Sequence, residues 1–189
     1  NPTGRTTTTE EIPMQVLLVR HAESYANKAD FTAFGNEDSP LTEHGKDEAY
    51  ALGGQLMSLG IDLGSVPAAS EFTRAQQTAQ CAGFVDFDVL PILNESELDP
   101  AEFDWTDANQ PMKKHVKEHW VPFETLKRAE QFLHDVRMKK INYPVYFTHG
   151  LFIASALMFC EDVGLPQTRA FDPVRGYVPL RAEVVPIEI

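Results

Sequence analysis

The segment Met14 to Val19 (MQVLLV) constrains this chain more than any other stretch. It is almost continuously apolar and carries two valines. Such a run fits a strand buried on both faces, the condition met inside a parallel sheet covered by helices on each side. It ends abruptly in Arg20-His21. No apolar run approaches the ~20 residues that cross a bilayer, so a membrane-spanning chain is not expected.

The chain has 189 residues, of which 43% are hydrophobic and 23% charged. These values suit one globular domain and argue against disorder, collagen or coiled coil. A formal net charge of −12 disfavours nucleic acid, whose binding depends on Lys and Arg displacing phosphate counterions. An anionic ligand must then be held by a local basic pocket. The two cysteines, Cys81 and Cys160, each lie in an apolar stretch and read as buried thiols rather than a disulfide framework.

Residues 1–11 read as a disordered lead-in and 12–189 as a single domain. The Asn1-Pro2 start and its run of threonines offer no apolar core of a secretory signal. The compartment stays open, with the cytoplasm expected ahead of an exported mature chain.

Strands and helices alternate along the rest. Thr42 is a plausible N-cap for a helix reaching Leu59, with Ala49, Leu52, Leu56 and Leu59 on one face and Gly60 as its stop. A strand is predicted around Ser65 to Ala69, a helix over Phe72 to Ala82, and a strand over Val85 to Leu93. Phe31 to Pro40 reads as a surface loop and Asn94 to Pro111 as an acidic, irregular excursion. Further helices are predicted over Lys113 to Trp120 and Phe123 to Met138. A strand over Val145 to Thr148 then opens through His149-Gly150 into a helix over Leu151 to Cys160. Tyr177 to Ile189, interrupted by prolines, reads as edge strand. The pattern predicts an α/β fold of three layers, a mostly parallel central sheet with helices on both faces.

In an open α/β sheet, ligands bind at the carboxyl ends of the strands. Arg20 and His21 follow the first predicted strand, and Ser70 and Arg74 the second. Glu95 and Glu97 follow the third, and His149 the fourth. Arginine forks bind phosphate oxygens and stay charged. A neutral imidazole can attack phosphorus, and a protonated carboxyl can supply the proton a leaving oxygen needs. There is no GxxxxGK[ST] and no GxGxxG after the first strand, so no nucleotide cofactor is indicated.

Five segments, in order, carry a resemblance. Leu18 to Asn27 (LVRHAESYAN) resembles the RHGES-x-x-N signature of the histidine phosphatase, or phosphoglycerate-mutase-like, superfamily. Leu41 to Gly45 (LTEHG) is similar to its LTxxG element, and Ser70 to Ala79 (SEFTRAQQTA) to its S-x-x-x-RA-x-x-TA helix start. Leu93-Asn94-Glu95 resembles its LxE acid segment, and Phe147 to Gly150 (FTHG) its late SHG. The resemblance implies a phosphatase that needs no metal or other cofactor, acting on a small phosphorylated substrate or a phosphoprotein. His21 would become phosphohistidine, with Arg20, Arg74 and His149 enclosing the phosphate. Asn27, with Ser24, would help bind the substrate, and Glu95 would be the general acid.

Two departures stand out. Ala22 replaces the usual glycine, and at a positive φ it would be strained by ~1 kcal/mol or more. The acid segment lacks the glycine usual after the glutamate, so Glu97 or Asp99 could serve instead. A phosphoglycerate-type mutase, a phosphohistidine protein phosphatase and a non-catalytic phosphate-binding module are the alternatives. For a mutase, only the Asn94 to Pro122 region is available to cap the site against water. His115 and His119 have helical i, i+4 spacing but no third ligand in view, so they read as a solvated face rather than half a zinc site. Oligomeric state is not legible.

Overall fold

A computed structural model describes residues 14–27, 39–95, 112–114, 120–165, 167–169 and 176–189. The expected lead-in, most of the Phe31 to Pro40 loop and residues 96–111 of the acidic excursion fall outside these.

The apolar run forms β1 (Gln15–Arg20), and β2 (Ala68–Ala69), β3 (Asp88–Val89), β6 (Tyr146–Thr148) and β7 (Val184–Glu188) complete one sheet. Its order is β3-β2-β6-β1-β7. Every pairing is parallel except that of β7, which runs antiparallel to β1 with Pro186 opposite Leu17. Pro186 thus sits on an edge strand, where its missing N–H is tolerated.

Helices α1 (Glu43–Ser58), α2 (Thr73–Cys81), α3 (Phe123–Arg137) and α4 (Gly150–Asp162) divide between the two faces. Val19, Ala69 and Phe147 point into a core with Leu52 and Leu56 of α1 and Ala75 and Ala79 of α2. Val16, Leu18, Ala68 and Tyr146 point the other way, to Ala129, Phe132 and Leu133 of α3 and Phe152, Ile153 and Leu157 of α4. The three-layer expectation holds. Helix α4 lies against both the sheet and α3, and buried residues occupy nearly its whole circumference, as an all-round apolar helix requires.

Thr42 caps α1 through Gly45 N at 3.0 Å, and Gly60 follows the helix at φ +84°. Two glycines of α1 seat it. A Cβ on Gly45 would lie 2.0 Å from Glu23 O, and one on Gly53 would lie 2.2 Å from Ala82 O.

Several sequence expectations need correction: the strands over Ser65 to Ala69 and Tyr177 to Ile189 shrink to Ala68–Ala69 and Val184–Glu188, and Leu59, expected on the buried face of α1, is exposed. The strand over Val85 to Leu93 is reduced to Asp88–Val89, and a short 3-10 helix takes Pro91–Leu93. Pro91 ends the ladder because it has no N–H to donate. The helix expected over Lys113 to Trp120 is replaced, where described, by a two-stranded ribbon of β4 (Met112–Lys114) and β5 (Trp120–Pro122), with Lys113 opposite Val121. That segment has no apolar helical stripe to bury, so strand pairing overrides its weak helical spacing. Cys81 is only half-buried, whereas Cys160 is buried; both are free thiols.

Candidate active site

The carboxyl ends of the parallel strands converge. A cavity of about 300 Å³ lies there, lined by Arg20, His21, Asn27, Arg74, Glu95 and Gly150, with Ala26, Leu151 and Val178. Each polar residue arrives because a strand or helix ends beside it. β1 delivers Arg20 and His21, the first turn of α2 delivers Arg74, and β6 delivers His149 into the start of α4. The parallel pairing of β1 with β6 sets Arg20 opposite Thr148, so His21 and His149 each leave the sheet one residue later. Their rings meet edge to face with centroids 5.2 Å apart.

His21 is buried, and both ring nitrogens are engaged. Nδ1 lies 2.7 Å from the carbonyl oxygen of Ala22, a pure acceptor, so the ring proton sits on Nδ1. Nε2 then carries the lone pair, and it accepts from Arg74 Nε at 3.2 Å. Burial, and next the Arg74 guanidinium, hold the imidazole pKa well below its ordinary value. Ala22 is not at positive φ. The strain that its replacement of glycine threatened does not arise, and its N–H is held by Thr78 Oγ1 at 3.0 Å.

Arg20 donates from Nη1 to Pro179 O at 2.5 Å. Gly150 lies against this side chain: a Cβ there would come within 3.1 Å of Arg20 Nε and 3.0 Å of Val178 Cγ1. The guanidinium of Arg74 lies over the Phe72 ring, 4.8 Å from its centroid, a cation–π contact. Glu95 enters after the 3-10 turn and accepts from Leu151 N at 2.6 Å, in the first turn of α4. Burial pushes its carboxyl pKa up, against the lowering pull of the Leu151 N–H, Arg74 and Arg20.

Asn27 lines the cavity, and its Oδ1 accepts from both Ser24 N and Ser24 Oγ, each at 3.0 Å. Ser24 itself is fully buried. It orients Asn27 and is not among the described lining residues. Glu97, Asp99, His115 and His119 lie outside the described residues. Arg20, His21, Arg74, Glu95 and Asn27 are therefore brought together around the cavity, and His149 joins them through its ring contact with His21 without being among the described lining residues.

The LTxxG segment braces the site from behind. Thr42 N donates to Glu23 O at 3.0 Å, Thr42 Oγ1 donates to Glu23 Oε1 at 2.8 Å, and Arg181 reaches Glu23 Oε2 at 2.9 Å. Val178 and the Pro179 carbonyl have no sequence signal as parts of a site, because a lone valine and a backbone oxygen form no motif.

The model of the histidine phosphatase superfamily, branch 1, matches residues 16–175. The chain belongs to that superfamily. A 67-residue stretch is 39% identical to a Klebsiella pneumoniae protein named "Probable phosphoglycerate mutase GpmB", covering 35% of this chain and 29% of that one. The match thus spans less than a third of that relative's length. A 112-residue stretch is 33% identical to the 2,3-bisphosphoglycerate-dependent phosphoglycerate mutase of Bartonella henselae, covering 56% of this chain and 50% of that one. Among solved structures, phosphoserine phosphatase of Entamoeba histolytica in complex with 3-phosphoglyceric acid superposes with a TM-score of 0.62. At 16% identity, over 92% of this chain and 94% of that one, this likeness speaks to the fold. The superfamily's members include phosphatases and mutases, and four of the five segments, all but LTEHG, contribute residues to the cavity lining.

Proposed function

We propose that the protein is a phosphomonoester hydrolase that works through a phosphohistidine on His21. The observation that carries this reading is the doubly fixed His21 ring, with Nδ1–H on the Ala22 carbonyl at 2.7 Å and Nε2 unprotonated toward the cavity-lining Arg74. A neutral, oriented imidazole is a nucleophile at working pH.

The phosphoryl oxygens settle between the Arg20 and Arg74 guanidiniums. Arg74 Nε exchanges its 3.2 Å contact with His21 Nε2 for a phosphoryl oxygen, which frees the lone pair. Nε2 attacks phosphorus in line as the P–O ester bond breaks, and the arginines stabilise the charge on the equatorial oxygens. The proton on Glu95 passes to the departing alkoxide. That proton is available because burial raises the carboxyl pKa. Water then attacks the phosphohistidine, Glu95 takes its proton, and inorganic phosphate leaves with His21 neutral again.

The test is release of phosphate and phenol from a generic aryl phosphate. The wild-type chain turns it over, and His21→Ala does not. An active His21→Ala protein would overturn the reading.

A mutase is the second reading, favoured by the names of the curated relatives. Incubation with a monophosphoglycerate separates the two. Free phosphate without isomer supports the hydrolase, and isomerised product supports the mutase.

A further inference from the structure

His149 raises a question that the phosphoryl-transfer reading leaves open. It is fully buried, and its Nδ1 has no hydrogen-bond partner among the described residues. Its Nε2 lies 2.7 Å from Ser70 Oγ, and Ser70 is itself fully buried at the end of β2. The Ser70 hydroxyl already accepts from Phe72 N at 3.2 Å. Among the described residues, the one acceptor in reach of its own proton is His149 Nε2.

Two tautomers can be compared. With the proton on Nδ1, Ser70 accepts from Phe72 N and donates to Nε2, and one buried donor, Nδ1–H, waits for a partner. With the proton on Nε2, the Ser70 hydroxyl hydrogen and the Nδ1 lone pair are both left without partners. Buried polar groups are rarely orphaned, so the first arrangement is favoured. Its single unpaired group is an N–H donor, the type that an anionic oxygen satisfies. The alternative would present a lone pair, which repels one.

We propose that Ser70 is a positioning residue, which holds His149 in the Nδ1–H tautomer so that the ring presents a donor, not a lone pair, to the transferring phosphoryl group. The catalytic part of this assignment rests on the hydrolase reading above; the tautomer does not. Phe72 packs edge to face on the same ring with centroids 4.8 Å apart, fixing its plane. Ser70 therefore has only to set which nitrogen bears the hydrogen. This also explains why a serine at the end of β2 belongs to the same segment as Arg74. The turn that launches α2 sets the Ser70 hydroxyl on His149 and, four residues on, the Arg74 guanidinium on His21.

Nitrogen-15 NMR of the full chain, labelled at histidine, reads the tautomer directly. His149 is assigned by its loss in His149→Gln. The expected result is a protonated Nδ1 and an unprotonated Nε2 in the wild type. A protonated Nε2 overturns the proposal, whether or not the protein hydrolyses anything. In Ser70→Ala the His149 signals move toward a tautomer mixture, and kcat on an aryl phosphate falls about tenfold, the lower end for loss of a supporting hydrogen bond, with KM changed less than threefold. Ser70→Thr, which keeps the hydroxyl, restores both. An unaltered tautomer with unaltered kcat in Ser70→Ala overturns the proposal. Should Ser70→Ala fail to fold, the wild-type spectrum decides alone. An inactive wild type with protonated Nδ1 would sink the hydrolase reading and leave the tautomer assignment standing.

Discussion

Substituting Gly45 by alanine pits two physical effects of opposite sign. Helix propensity alone favours alanine by about 1 kcal/mol. Packing opposes it. The new Cβ would sit 2.0 Å from Glu23 O, against 3.4 Å for ordinary contact, so the start of α1 must retreat by about 1.4 Å. That start is tied down. Thr42 N donates to the same Glu23 carbonyl at 3.0 Å, Thr42 Oγ1 to Glu23 Oε1 at 2.8 Å, and Glu23 N to Glu48 Oε2 at 2.8 Å. Overpacking typically costs about 1–3 kcal/mol, and each hydrogen bond pulled out of range about 1 kcal/mol more. After the propensity gain is deducted, the net loss is about 3 kcal/mol, or roughly 10 °C in Tm for a chain of this size. Gly54→Ala is the control, since a Cβ there meets nothing within 4 Å and should gain up to ~1 kcal/mol. Thermal unfolding followed by circular dichroism reads both. Because Glu23 lies two residues beyond His21, Gly45→Ala should also lower kcat in the protein that remains folded. A Gly45→Ala chain as stable as the wild type would refute the reasoning.

Glu95→Gln should lower kcat/KM on alkyl phosphates by about 10²–10⁴-fold and on aryl phosphates far less, because a phenolate leaves with little protonation. Equal losses would remove Glu95 from the leaving-group proton transfer. In the wild type, alkyl phosphate turnover should fall as pH rises through the raised carboxyl pKa, and the Gln variant should lack that limb. His21 and His149 are both held well below the ordinary imidazole value of 6.5 by burial. The unfolded chain therefore binds protons that the folded one refuses, and stability present above pH 6.5 is lost as pH falls below it. Each ring contributes up to about 1.4 kcal/mol per pH unit. Glu95, whose raised pKa acts in the opposite sense above 4.5, is common to both chains when urea unfolding of the wild type is compared with His21→Asn. The variant should show the shallower dependence between pH 7 and 5.5, and equal slopes would count against a neutral buried His21. Arg74→Lys keeps the charge but loses the fork and the Nε contact to His21, so kcat should fall about 10²-fold. A near-normal Arg74→Lys enzyme would contradict a role beyond charge.

Much of this molecule is legible in the chain because its core elements have strong periods and clear stops. Thr42, Gly60 and the Ala49–Leu52–Leu56 stripe mark α1 within a residue of its observed ends. The MQVLLV run reads as a strand covered on both sides, and Gln15–Arg20 is that strand. The site follows from topology, since parallel strands send what comes after them to one edge. That is why Arg20, His21, Arg74 and His149 can be gathered from the sequence alone. What the sequence hid has physical causes. The edge strand β3 is only two residues long, Pro91 cuts it off, and its side chains are exposed, so no apolar pattern marks it. The β4–β5 ribbon is held by cross-strand pairing, which a helical-period reading of Lys113 to Trp120 does not sense. The Pro179 carbonyl that holds Arg20, and the Leu151 amide that holds Glu95, are backbone groups, and backbone groups have no residue signature. Ala22 looked like a strained exception to a glycine rule, yet at this position the backbone does not need the left-handed region.

The central claim is that phosphate passes through Nε2 of His21. Rapid mixing with a radiolabelled aryl phosphate, an alkaline quench and peptide mapping would test it directly. The account predicts one labelled peptide containing His21, its phosphate lost in acid and kept in base, and no label in His21→Ala. Label on any other residue, or full turnover by a chain without this imidazole, would contradict it.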